Sequence, residues 1–111
     1  MDKRKDHRFT NQLHVKICSD SGKFWGVLND VSENGLFIKT NRDLDLNSAV
    51  DIEIVMPDST NSHLVGIVTR KVDLHETYRK YGLGIKLIKK DIKYMKLLSL
   101  SYIGQNQTAL D

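Results

Sequence analysis

Asp30 and Ser32 are two residues of one short segment whose side chains could bind a polar ligand together. They lie two positions apart, so in an extended strand the carboxylate and the hydroxyl project from the same face. Gly35 follows closely, where a residue without a side chain can adopt a positive φ or let another group approach the backbone. The same residue types also form ordinary tight turns, which is the alternative interpretation of this segment.

The pair Arg4 and Arg8 is the second candidate for chemistry, spaced as Arg-x-x-x-Arg near the N-terminus. A guanidinium group can bind a phosphate through two parallel hydrogen bonds and can stack on a flat ring. Residues 1–9 are mostly charged and lack apolar periodicity. We therefore expect them to form a flexible basic arm in the free protein.

Composition limits the class of the protein. A chain of 111 residues predicts one small domain. Its 17 Lys and Arg against 14 Asp and Glu give a net charge of +3, which favours a small anion over a long polyanion as the ligand. Cys18 is the only cysteine in the sequence, so an internal disulfide is excluded and a reducing cytoplasm is favoured. No segment resembles a signal peptide or a transmembrane span, so we expect a cytoplasmic protein without membrane insertion.

Alternating apolar residues predict six strands. The expected inward-facing residues include Leu13, Val15, Ile17, Ile52, Ile54, Met56, Leu83, Ile85 and Leu87. The segment 30–35 joins two of these strands as a hairpin, and the apolar run 64–68 predicts a strand that is covered on both faces or that bends at Gly66. Six short strands without intervening helices predict an antiparallel, Greek-key-like β-barrel, because closure removes open edges.

A C-terminal helix is predicted after the last strand, with Asp91 as its N-cap and Gly104 at its end. Helical spacing groups one apolar stripe that we expect to pack on the barrel: Ile92, Met95, Leu98, Tyr102 and Ile103. Tyr94, Leu97 and Leu100 lie around the other side, where we expect contact with a partner or a second subunit; burial beneath a loop or the arm is the alternative. The predicted organisation is an arm over 1–9, a barrel with its helix over 10–104 and a polar tail over 105–111.

The order of these motifs resembles the PilZ domain family. Arg4-x-x-x-Arg8 precedes Asp-x-Ser-x-x-Gly at 30–35 by a little over twenty residues, and the segments 65–70 and 82–87 resemble later strands of that family. The resemblance covers nearly the whole chain and implies binding of the bacterial second messenger cyclic di-GMP. It implies that Arg4 and Arg8 bind guanine and phosphate, that Asp30 accepts hydrogen bonds from a guanine N–H edge, that Ser32 adds a hydroxyl contact, and that Gly35 leaves room.

Three further features of the sequence bear on ligand binding. Phe9-Thr10-Asn11 replaces the proline often found after the second arginine of the family motif. Lys3 precedes Arg4 at a position that in the family influences whether one ligand or an intercalated pair is bound. Arg70 is interpreted as a surface charge, with a phosphate contact as the alternative.

The resemblance implies a receptor and adaptor, not an enzyme, with cyclic di-GMP as ligand and no other cofactor. Because Arg4 lies so near the start of the sequence, we expect no fused output domain, so that an unidentified effector protein carries the signal, in motility or biofilm regulation as is typical of the family. A homodimer is compatible with this scheme. The alternatives are a PilZ-like adaptor that binds no ligand, and a nucleic-acid-binding barrel, which the shortage of aromatic residues for base stacking disfavours.

Metal binding and catalysis find little support in the sequence. The four histidines are scattered without ligand spacing, and a single cysteine does not complete a zinc site. Acid–base or nucleophilic catalysis would need a carboxylate pair or a nucleophile beside a base, and the acidic residues all suit turns or solvent-facing positions.

Overall fold

Six antiparallel strands close into a barrel, which confirms the predicted fold class. The computed structural model describes residues 13–75 and 77–99, so the predicted arm over 1–9 and the tail over 105–111 lie outside the described residues. The strands are β1 (His14–Ser19), β2 (Gly22–Val31), β3 (Gly35–Thr40), β4 (Ala49–Val55), β5 (Asn61–Asp73) and β6 (Tyr81–Lys89). They follow the order β1-β2-β3-β6-β5-β4, and β4 pairs back onto β1.

The core is formed by alternate residues of the strands, among them Val15, Ile17, Ile52, Ile54, Leu83 and Ile85, which the sequence pattern predicts to face inward. These side chains are at most 2% exposed: Val15, Ile17, Leu28, Ile38, Val50, Ile52, Ile54, Leu64, Val68, Leu83 and Ile85. Burial of their apolar surface is the main favourable term in folding. Leu44, from the connection between β3 and β4, joins the same cluster.

Three register shifts interrupt the ladders. Asn29 is an extra residue between Leu28 and Asp30 on β2, and Thr69 is an extra residue between Val68 and Arg70 on β5. A third shift lies beside Gly66, where the sequence offered a bend as one of two alternatives. Bulges of this kind redirect the side chains that follow them, and the first two lie next to charged residues, Asp30 and Arg70.

A helix, α1, is described over residues 92–99, and its packing face differs from the predicted one, although Leu98 of the predicted stripe does pack against the core. Tyr94 is fully buried and Leu97 is 7% exposed, whereas Ile92 is 71% and Met95 41% exposed. The predicted packing stripe is therefore wrong for Ile92 and Met95, and Tyr94 and Leu97 belong to the core instead of a partner surface. In the described part of the chain, no helix has the length and apolar character needed to cross a membrane. Leu100, Tyr102 and Ile103 lie outside the described residues.

Asp91 explains why the helix is oriented in this way. One carboxylate oxygen accepts hydrogen bonds from the Tyr94 amide at 3.0 Å and the Ser62 hydroxyl at 2.6 Å, and the other accepts one from the His63 amide at 2.7 Å. The residue is thus the predicted N-cap and also a link to β5. Burial acts to raise the pKa of this carboxyl, but the three hydrogen bonds outweigh burial and hold the pKa below its ordinary value.

Candidate functional site

Asp30, Ser32 and Gly35 lie along one open cleft of about 260 Å³ on the outside of the barrel, at the corner between β2 and β3. The structure therefore brings together the three predicted site residues that it describes. Thr69, Arg70 and Gly84 complete the opposite wall, and Phe37 lies between the two walls. Arg4 and Arg8 lie outside the described residues.

The cleft follows a row of directly paired residues that crosses four strands. Asp30 on β2 pairs with Phe37 on β3, Phe37 pairs with Gly84 on β6, and Gly84 pairs with Arg70 on β5. Paired residues on neighbouring strands have adjacent side chains, about 4.5–5.5 Å apart at Cβ. Exposed side chains of opposite charge, Asp30 and Arg70, thus stand at the two ends of the row with an aromatic ring between them.

Two glycines of β6 make room for the aromatic and the cationic side chain. A Cβ atom at Gly82 would collide with the Phe37 ring, and one at Gly84 would lie 3.1 Å from Cβ of Arg70. The Arg70 guanidinium carbon lies 5.4 Å from the centroid of the Phe37 ring, within cation–π range. Gly82 and Gly84 therefore leave the space in which Arg70 stacks on Phe37 along the cleft.

The ligand turn, residues 30–35, is closed by short-range hydrogen bonds. The Ser32 amide donates to the Gly35 carbonyl at 2.8 Å, and the Ser32 hydroxyl donates to the same carbonyl at 3.1 Å. The Val31 amide donates to the Asp30 carboxylate at 3.0 Å. Ser32 is exposed, so its hydroxyl can exchange this local acceptor for a group on a ligand.

Gly35 has a structural role in addition to its predicted role of leaving room for a ligand. A Cβ atom there would lie 2.7 Å from the Ile85 carbonyl oxygen, which is too close for any other residue without movement of the backbone. The close approach that the sequence indicated thus brings β6 against the turn. Any room that Gly35 leaves for a ligand comes in addition to this packing.

The ligand turn is held by groups of β6, of α1 and of the short segment between them. The buried Tyr94 hydroxyl lies 2.7 Å from the Ser32 carbonyl and 3.1 Å from the Gly35 carbonyl, the Leu87 amide donates to Asn34, and Lys90 donates to Glu33. Burial raises the pKa of Tyr94 well above its ordinary value, so the phenol stays protonated and remains a donor.

Sequence reasoning missed Phe37 and Tyr94 as parts of this site and assigned Arg70 to the plain surface. The two glycines spaced by one residue on β6 were a usable signal, because they mark a close approach. The partners in that approach follow only from the pairing of β3, β6 and β5. Among the described residues, no group of three or more His, Cys, Asp or Glu side chains could hold a metal ion.

Fold and cleft together define a small β-barrel domain with a polar and aromatic cleft on its outer face. The PilZ domain model matches residues 2–102, and the chain belongs to the PilZ domain family, a family of cyclic di-GMP-binding receptors and adaptors.

A solved structure of similar fold is the Bacillus subtilis inhibitor of motility, MotI/DgrA, with a TM-score of 0.71 and 12% sequence identity. The match covers 87% of this chain and 48% of that protein, so this chain spans about half the length of its structural neighbour. At this identity the likeness concerns the fold. A search of curated proteins finds no match.

Proposed function

We propose that this protein binds cyclic di-GMP in the cleft at the β2–β3 corner and passes the signal to a partner protein. The observation that carries the proposal is the convergence of Asp30, Ser32 and Arg70 on one cleft in a chain of the PilZ family. Each of these groups suits a different part of the ligand.

Asp30 suits the Watson–Crick edge of guanine, which presents adjacent N–H donors to a carboxylate acceptor. Arg70 offers positive charge for a phosphate and a flat guanidinium on which a purine can stack. The Ser32 hydroxyl lines the same cleft and supplies one further donor or acceptor. A ligand with two guanines and two phosphates fits this combination better than a simple anion does.

Arg4 and Arg8 complete the proposed site from the N-terminal segment. The Leu13 carbonyl accepts a hydrogen bond from the Leu28 amide at 2.8 Å, so the chain enters the barrel close to Asp30. Arg8 precedes Leu13 by five residues, which allow a reach of roughly 17 Å in extended form. That length is sufficient for the guanidinium of Arg8 to reach a guanine or phosphate in the cleft.

Calorimetric titration with cyclic di-GMP tests the proposal. We expect Arg8→Ala and Asp30→Ala each to weaken binding roughly tenfold to a hundredfold, since a charged, directional contact to a base contributes about 1–3 kcal/mol. Arg42→Ala is the control for the loss of an arginine, because Arg42 lies outside the cleft, with its guanidinium carbon 5.3 Å from the centroid of the Phe24 ring. Cyclic di-AMP and a short oligonucleotide serve as control ligands.

Wild-type protein that gives no heat with cyclic di-GMP would refute the assignment, as would equal affinity in all three variants. Stronger binding of the oligonucleotide would favour the nucleic-acid alternative instead.

The adaptor part of the proposal concerns an effector protein. The fold likeness to an inhibitor of motility supports the motility apparatus as the first source of candidates. A pull-down from cells of the source organism, with and without cyclic di-GMP, should recover a partner whose amount depends on the ligand. Equal recovery in both conditions, with ligand binding intact, would contradict ligand-dependent signalling.

A further inference from the structure

Tyr94 connects helix α1 to the ligand turn. Its side chain is fully buried, and its hydroxyl oxygen lies within hydrogen-bond distance of two carbonyls of that turn, those of Ser32 and Gly35. The hydroxyl has one proton, so it is shared between the two acceptors, with the shorter distance of 2.7 Å to Ser32. Both acceptors belong to the segment proposed to bind the ligand.

The Gly35 carbonyl receives more donors than it needs. The Ser32 amide, the Ser32 hydroxyl and the Tyr94 hydroxyl all point to this one oxygen, which has two lone pairs. When the Ser32 hydroxyl turns away, the Gly35 carbonyl keeps the Ser32 amide and a share of the single Tyr94 proton. Without the phenol, that rotation would leave the carbonyl with its amide partner alone.

We propose that Tyr94 is a positioning residue: its hydroxyl fixes the backbone of the ligand turn and thereby frees the Ser32 hydroxyl to bind the ligand. The inference rests on the proposed function for the identity of the ligand, but the hold on the turn is a property of the free protein. Because Tyr94 lies on α1, this hydrogen bond joins the helix directly to the turn.

Tyr94→Phe tests the proposal, because it removes the hydroxyl and keeps the buried ring. We expect the affinity for cyclic di-GMP to fall roughly twofold to tenfold, the range for one neutral hydrogen bond. In the ligand-free variant, the Ser32 amide should exchange with solvent faster than in the wild type. The Val68 amide lies away from the turn and donates a hydrogen bond of 3.0 Å to the Ser48 carbonyl. Its exchange rate should stay the same in the variant.

Leu97→Ala is the matched control for a general loosening of the helix. Leu97 packs in the core on the same buried side of α1 as Tyr94 but makes none of the turn's hydrogen bonds. We expect Leu97→Ala to lower the melting temperature more than Tyr94→Phe does and to leave the affinity close to that of the wild type. Equal loss of affinity in the two variants would overturn the proposal, because helix packing alone would then explain it.

Unchanged Ser32 exchange in Tyr94→Phe would also overturn the proposal, whatever the affinity. If the wild-type protein does not bind cyclic di-GMP, the proposed function fails, while the exchange comparison still decides whether Tyr94 holds the turn. The two failures are therefore distinguishable.

Discussion

Replacement of Asp91 by alanine should destabilise the fold more than replacement of any exposed acid. The carboxylate caps helix α1 through the Tyr94 amide, and it also accepts from the Ser62 hydroxyl and the His63 amide. Ser62 is fully buried, so removal of the carboxylate takes away the acceptor of a buried hydroxyl. Loss of the cap costs about 1 kcal/mol, and a buried donor without an acceptor costs about 1–3 kcal/mol more.

The expected total for Asp91→Ala is about 2–4 kcal/mol in the free energy of unfolding. For a domain of this size it corresponds to a fall in Tm on the order of 10–25 °C, measured by thermal and chemical denaturation. Asp58→Ala is the matched control. Asp58 also accepts two hydrogen bonds, both from Thr60, but it lies on an exposed loop, so we expect little change.

The destabilisation should depend on pH in a defined direction. The pKa of Asp91 is lowered in the folded protein, so the carboxylate's contribution is complete above the unfolded-state pKa and is lost as the pH falls through the folded value. The difference in unfolding free energy between the wild type and Asp91→Ala should therefore become smaller below about pH 4. Equal stability of the Asp91 and Asp58 variants at pH 7, or a difference that widens in acid, would refute this account of how α1 is anchored.

Two further predictions concern the helix face and the floor of the cleft. Leu97→Ala should lower the free energy of unfolding by about 2–5 kcal/mol, because Leu97 is buried. Ile92→Ala should change it by about 0.5 kcal/mol or less, because Ile92 is exposed. Similar denaturation midpoints for the two variants would contradict the observed packing face. Gly84→Ala should weaken cyclic di-GMP binding several-fold in calorimetry with little change in Tm, since the new methyl group would press on the Arg70 side chain; unchanged affinity would show that the position of Arg70 does not matter for the ligand.

Much of the barrel could be predicted from the sequence, because period-two alternation in short segments reports directly which residues face the core. The hairpin at 30–35 and the cap at Asp91 were also predictable, since both depend on residues close together in the chain. The face of α1 was not predictable in the same way. Ile92 and Met95 fit an apolar stripe as well as Leu97 does, and the choice depended on acceptors for Tyr94 and donors for Asp91 that come from other strands.

The candidate site was also predictable only in part. Asp30, Ser32 and Gly35 were found from local spacing, and the structure places them on one cleft. Phe37 and Arg70 join them only through the register of β3, β6 and β5, and the bulge at Thr69 determines which β5 residue lies opposite Gly84. An extra residue in a strand exchanges inward and outward side chains beyond it, so a single sequence did not reveal that Arg70 faces the aspartate across the cleft.

The row from Asp30 to Arg70 also has a consequence for biosynthesis. Its members come from β2 and β3 in the first half of the chain and from β5 and β6 in the second half, and they meet only when β6 inserts between β3 and β5. Contacts between such distant segments form late and slowly in β-rich domains. During translation, the cleft is therefore incomplete until β6 has emerged from the ribosome. A ligand that binds in the cleft would act only on the finished barrel. It would protect that barrel against unfolding and proteolysis by mass action.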